Sequence, residues 1–176
     1  MPIPTKRIIA DSFLSLVKKK SVDKITVKEL VENCNISRQT FYYHFQDITA
    51  VLEWICEDAF DRAIRSNTPS DAPHVVFRNL INAVNDSRIF FQRLMSSQKY
   101  TQVHNLLTKS VRTYLEEMGK ARRDGQKSSL SKRETVLDFC SIGISGLLLN
   151  ACARPQTNQD ELAEQIAELI SRLVPK

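Results

Sequence analysis

Apolar residues along this chain recur at intervals of three and four, and no strictly alternating run bounded by turn residues is present. The pattern is sharpest between Thr26 and Phe45, TVKELVENCNISRQTFYYHF. Val27, Leu30, Val31 and Cys34 give a first short helix one apolar face, and Phe41 and Phe45 give a second helix another. Thr26 followed three residues later by Glu29 forms a capping box that opens the first helix. Asn33 and Asn35 bracket the turn, where Asn35 can adopt a left-handed conformation and end a helix without glycine. Ser37 then caps the second helix. At 100° per residue, Gln39, Tyr42 and Tyr43 lie opposite Phe41 and Phe45, with Arg38 at the border.

The same spacing predicts helices on both sides of this pair. Ile8, Ile9, Phe13, Leu16 and Val17 predict a helix capped by Thr5 and running to about Lys19, closed by Lys18, Lys19 and Lys20 at the negative end of its dipole. Asp47 caps a long helix to about Ser66, with Ile48, Val51, Leu52, Ile55, Cys56, Ala59 and Ala63 in step. Asn67 to Pro73 is the clearest break. Helices are then predicted over about Pro73–Val84, around Ile89–Leu94 after a turn at Asn85–Ser87, and from a cap at Ser97 through Met118. Gly119 to Ser131 reads as a loop or frayed end.

From about Ser131 to Cys152 the pattern changes character. Beyond Val136 the sequence is apolar nearly all round, which a surface helix cannot be, and it is too polar for a membrane span. It is expected to be buried on one side by its own core and on the other by a second subunit. Gly143 and Gly146 permit close helix approach there, alongside Leu147 and Asn150. Asn158 caps a last helix in which Leu162, Ile166, Leu169 and Leu173 form a narrow seam. Two such helices from each of two chains predict a four-helix homodimer interface. The fold expected is all-α with about nine helices: an N-terminal three-helix head, residues 1–46, and a larger helical domain, residues 47–176.

Composition agrees with this and adds a partner. The 176 residues are 42% hydrophobic, with four glycines, and Pro is absent from Thr5 to Thr68 and from His74 to Arg154. Of the +5 net charge, residues 1–47 carry a surplus of three, from eight Lys/Arg against five Asp/Glu. A basic head with a projecting helix of hydrogen-bonding side chains predicts duplex DNA as partner. Cys34, Cys56, Cys140 and Cys152 include no CxxC and fall in apolar helical patterns, so they read as buried thiols in a reducing cytoplasm. The start, MPIPTKR, lacks a signal-peptide apolar region, and no apolar run is expected to span a membrane.

The stretch NISRQTFYYHFQD, with ITVKELVENC before it, resembles the DNA-binding signature of the TetR (tetracycline-repressor) family of bacterial regulators. The resemblance is specific over about Thr5 to Val51, and FYYHFQDI…LEW is most similar to a subset that includes regulators of dihydroxyacetone kinase operons. It implies that Ser37 to His44 is a recognition helix, with Arg38, Gln39 and Tyr43 reaching the major groove. Thr26, Lys28, Tyr42 and His44 would hold phosphates, and Thr40 either. The family commonly has Gly where this chain has Ser21, and Lys, a phosphate contact, where it has Ile48. The implied protein is a homodimeric regulator of a near-palindromic operator, most simply a repressor. The alternative is a coactivator-like protein with weak DNA binding of its own that works through a partner.

The resemblance also implies an effector pocket in the larger domain. Trp54, Phe60, Phe77, Phe90, Phe91, Met95, Tyr100, His104, Tyr114 and Phe139 are its candidate walls, although each is also an ordinary core residue. A small apolar or aromatic effector is expected between the helix carrying Trp54 and Phe60 and the one carrying Tyr100, His104 and Tyr114. No phosphate loop, HExxH or GxSxG occurs, and His44, His74 and His104 have no metal-ligand spacing to Cys, Asp or Glu. No catalytic activity, metal or cofactor is therefore expected.

Overall fold

The computed structural model describes residues 4–66, 72–121, 130–154 and 158–173. Among these, nine α-helices and one short 3-10 turn account for all regular structure, and no strand is present. The head consists of α1 (Thr5–Val17), the 3-10 turn Val22–Lys24, α2 (Val27–Cys34) and α3 (Arg38–His44). The remainder is α4 (Ile48–Arg65), α5 (Pro73–Asp86), α6 (Arg88–Met95), α7 (Tyr100–Ala121), α8 (Leu130–Ala153) and α9 (Gln159–Leu173). α1 packs on α2, α4 and α6. α5 packs against α4, α8 and α9, and α7 packs against both α4 and α8. One continuous apolar cluster runs from Ile9, Phe13, Leu30 and Phe41 in the head to Phe77, Phe91, Leu107 and Leu115 beyond it.

Most helix ends follow from the residues that cap them. Asp47 accepts the Ala50 N–H at 2.9 Å to open α4, and Asn158 accepts from Glu161 at 3.3 Å to open α9. Pro73 takes the first position of α5, where its missing N–H is harmless. Other ends depart from the pattern. Thr5 is the first residue of α1 rather than its cap, a place taken by Pro4 with no side-chain bond, and the helix stops at Val17. The helix after α4 continues through Asp86, so Asn85 belongs to it and the turn shrinks to Ser87. Ser97 does not open α7, which begins at Tyr100; its hydroxyl accepts from Lys99 N–H at 3.1 Å and is otherwise engaged with the head. α7 runs through Ala121 and α8 begins at Leu130, so the expected loop lies mostly outside the described residues, as does most of the Asn67–Pro73 break. Ser21 has φ −60°, ψ 144°, an extended conformation open to any residue, so the turn there does not need glycine.

α8 requires a correction. The segment Arg133–Ala153 is long and apolar enough to cross a membrane by length and composition, although no single apolar run in the sequence suggested it. Half of it is buried in the bundle. Its inner face carries Leu137, Cys140, Ile144 and Leu148 together with Ser141 and Ser145, which are also buried. Both hydroxyls donate to the carbonyl four residues back, Leu137 at 2.6 Å and Ser141 at 2.7 Å, and so stay satisfied without water. Its outer face is also apolar: Phe139, Ile142 and Leu147 are 69%, 56% and 39% exposed.

Candidate nucleic-acid interface

The α2–α3 pair is built by its caps. Thr26 Oγ1 accepts from Glu29 N–H at 3.3 Å, and the Glu29 carboxylate accepts from Thr26 N–H at 3.2 Å, a closed capping box. Lys20 Nζ pairs with the same carboxylate. Together Lys20 and Thr26 hold the Glu29 carboxyl below its ordinary range. Lys20 is thus committed to a helix end, not to a ligand. Asn35 ends α2 with φ 53°, ψ 46°, the only positive φ at a non-glycine position among the described residues. That reversal lets Ile36 N–H reach back to Val31 O at 3.0 Å. Ser37 Oγ accepts from Thr40 N–H at 2.9 Å and opens α3.

α3 is anchored by Phe41, which is fully buried, and by Phe45 just beyond it, with ring centroids 6.1 Å apart. Opposite them Arg38, Gln39, Tyr42 and Tyr43 are exposed, Tyr43 to 85%. Lys28 and Thr26 are exposed on α2. His44 is half-buried with its ring edge-on to Tyr43 at 5.0 Å, and Thr40 is half-buried with its hydroxyl 2.8 Å from Ser37 Oγ. Arg38, Gln39, Tyr42 and Tyr43 are thus exposed together on α3, with Thr26 and Lys28 exposed at α2, while Ser37 and Thr40 serve the cap of α3. Ile48 is half-buried against the core and supplies no charge there.

Several ties within the head, within the body and between the two were invisible in the sequence. Asp23 accepts from the Ser97 hydroxyl at 2.6 Å and from Gln98 N–H at 3.4 Å. Lys99 Nζ donates to Thr49 Oγ1 at 2.8 Å, and Arg93 to the Lys18 carbonyl at 3.3 Å. Asn33 of α2 donates to Ser12 of α1 at 2.6 Å. Lys6 lies 5.5 Å over the Phe45 ring, and Phe45 meets Trp54 of α4 edge-on at 6.2 Å. Most of these partners are far apart in sequence, and the polar ones belong to no periodic pattern.

The candidate effector walls separate into three groups. Phe60, Phe77, Phe90 and Phe91 are buried core side chains. Met95, Tyr100, His104 and Tyr114 are half-buried, with Tyr114 edge-on to Phe77 at 6.1 Å and Tyr100 5.6 Å from His104. Phe139 is misplaced by the expectation: it points out from the exposed face of α8, because an all-round apolar helix gives no signal for which face turns inward. A cavity of about 410 Å3 does exist, but between α1, α4 and α5, and of the ten candidates only Trp54 lines it.

The dimer candidates also divide. Gly143 and Asn150 are exposed and Gly146 is half-buried; a Cβ on either glycine would meet nothing within 4 Å. With Leu147 they share the outer face of α8 with Phe139 and Ile142. On α9, Leu169 and Leu173 are 52% and 39% exposed and Leu162 is half-buried. Ile166 is corrected: it is 2% exposed and turns inward with Ala163 and Ile170 on the face that packs against α5. Among the described residues no group of three His, Cys, Asp or Glu could hold a metal.

Residues 11–55 match the family model described as bacterial regulatory proteins, tetR family. The chain is 30% identical over 115 residues to the HTH-type dhaKLM operon transcriptional activator DhaS of Lactococcus lactis subsp. lactis, covering 62% of each. It is 22% identical over 129 residues to the HTH-type transcriptional regulator YuxN of Bacillus subtilis, covering 71% of this chain and 42% of that one. The matched segments thus span 62% or less of these relatives' own lengths. The solved structure of the dihydroxyacetone kinase operon activator DhaS superposes with TM-score 0.75 at 22% identity over 97% of this chain and 96% of that one. The TetR family repressor AlkX from Dietzia sp. superposes with TM-score 0.54 at 16% identity, over 95% and 96%. By name, these relatives are transcriptional regulators.

Proposed function

We propose that the chain is a DNA-binding transcriptional regulator that works as a homodimer in the bacterial cytoplasm, a reading supported by the match of residues 11–55 to the tetR family model and by the likeness of its fold to that of DhaS. Residues 1–46 read the DNA, and residues 47–176 dimerise and receive a small effector. The observation that carries this reading is α3, whose Phe41 is locked in the head while Arg38, Gln39, Tyr42 and Tyr43 stand free on the opposite side. Those side chains suit bidentate contacts to base edges and phosphates in a major groove. A second observation supports the dimer: the outer face of α8 is apolar over Phe139, Ile142 and Leu147 and opens on two glycines with free space above them. Paired across a two-fold axis, two α3 helices would meet half-sites about one helical turn apart.

Fluorescence anisotropy on duplexes tiled across the DNA upstream of its own gene tests this. Tight, salt-sensitive binding to one near-palindromic segment is expected; binding that is weak and indifferent to sequence everywhere counts against it. The likeness to DhaS, by its name an activator, favours a second reading for the sign of control. A repressor would block polymerase at its operator, whereas an activator would raise transcription from the same site, directly or through a partner protein. In vitro transcription from the bound promoter distinguishes the two.

A further inference from the structure

We propose that the cleft between α1, α4 and α5 is the effector site of this regulator, and that it takes a small organic cation, an amine carried on an apolar body. The proposal rests on the DNA-binding reading for the word effector, though not for the site itself.

The cleft has about 410 Å3 of room, within the range of small-molecule sites. Its charged groups are unequal. Arg7 of α1 donates to Asp58 Oδ2 of α4 at 2.6 Å and also pairs with Asp11 at 3.2 Å, and Arg62 reaches the same Asp58 oxygen at 3.0 Å. Two guanidiniums and two carboxylates thereby neutralise one another, so neither arginine is a free anion receptor. Asp86 is left over. It lines the cleft on the last turn of α5, and among the described residues it has no ion-pair partner. The nearest arginine in sequence, Arg88, is turned away and donates to the Cys152 carbonyl at 3.0 Å. A carboxylate at a helix C-terminus adds to the negative end of the dipole, which leaves this rim attractive to a cation. The Trp54 indole forms another part of the lining, together with Leu14 and Ala83, and an aromatic ring and a carboxylate lining one cleft are the groups that recognise ammonium ions. Asn82 adds an amide able to orient a polar substituent.

The location gives such a ligand leverage. α1 belongs to the head, and α4 and α5 to the body, so an occupant touches both. Trp54 also meets Phe45 at the foot of α3, with ring centroids 6.2 Å apart. A ligand that seats differently against Trp54 in two head positions would shift their populations, and only by that difference in affinity.

The full chain is titrated with 2-phenylethylamine while Trp54, the only tryptophan, is followed by its fluorescence. The uncharged 2-phenylethanol and the anionic phenylacetate serve as controls. The amine should quench and bind at least tenfold more tightly than either control. Asp86→Asn, checked for unchanged helicity, should remove at least tenfold of that preference and leave 2-phenylethanol unaffected. Equal binding of all three compounds, or an Asp86→Asn protein that holds the amine like the parent, overturns the cation site. DNA affinity that saturating amine leaves unchanged overturns the effector role. A protein that binds no DNA yet takes up the amine through Asp86 would overturn the regulatory reading instead, so the two failures are told apart.

Discussion

The carboxylate of Asp23, in the turn between α1 and α2, accepts a 2.6 Å hydrogen bond from the hydroxyl of Ser97, 74 residues further along the chain. The same carboxylate takes the Gln98 N–H, and two residues past Ser97 the Lys99 ammonium reaches Thr49 at the start of α4. A single short segment before α7 therefore grips the head at Asp23 and the start of α4 at Thr49. The ion pair of Arg7 with Asp58 supplies a third tie, from α1 to α4.

Removing that grip should loosen the head without unfolding the body. Asp23→Ala loses bonds worth about 1 kcal/mol each. Amide exchange in α2 and α3 is expected to speed up while α5 and α9 stay protected. Exchange that is uniform across the molecule, or unchanged, would show that the contact has no mechanical role.

On DNA, Lys28→Ala should weaken every sequence about equally and lower the salt slope by about one unit. Gln39→Ala should instead relax preference at one base pair, at a cost of roughly 1–3 kcal/mol. Parent-like binding by both variants would mean that the exposed face of α3 is not the reading face.

Neighbouring positions on α9 should behave in opposite ways. Leu169 is half exposed and Ile170 is 2% exposed. Leu169→Glu leaves the protomer folded but places an unpaired charge in the proposed interface, a penalty of several kcal/mol. Sedimentation should then show folded monomer. Ile170→Glu should unfold the chain itself. A stable Leu169→Glu dimer would move the interface elsewhere.

The opening of α2 should be sensitive to acid. Lys20 and Thr26 hold the Glu29 carboxyl below its ordinary value, so the folded state binds its proton less readily than the unfolded chain. The stability this contributes is present above the unfolded pKa, near 4.3 for glutamate. It is lost as pH falls through the depressed folded value. Glu29→Gln should melt lower than the parent at pH 7 and converge on it toward pH 3; a constant difference across that range would rule the pair out as the cause.

The head was legible because its signals are local. Thr26 with Glu29, Asn35, Ser37 and Asp47 each act within a few residues, and each does in the structure what its type and spacing predict. Longer-range features left weaker traces. On α8 the apolar residues surround the axis, so nothing in the pattern distinguished Leu137 and Ile144, which turn inward, from Phe139 and Ile142, which do not. On α9 the alternating four-and-three spacing puts Ile166 in an outward seam, but packing against α5 turns Ala163, Ile166 and Ile170 to the core. The cleft needs three helices to exist, and beside Ile55, Ala59 and Ala63 of the α4 stripe its lining is largely polar residues that periodicity assigns to solvent.

The exposed strip of Phe139, Ile142 and Leu147 also sets how the amount of protein matters. If only paired chains read DNA, then below the concentration at which they pair, occupied promoters grow with the square of the number of chains per cell. A twofold change in synthesis then acts as about fourfold at the promoter, by mass action alone. Unpaired chains would meanwhile present that strip to whatever degrades or sequesters sticky surfaces, which steepens the threshold further.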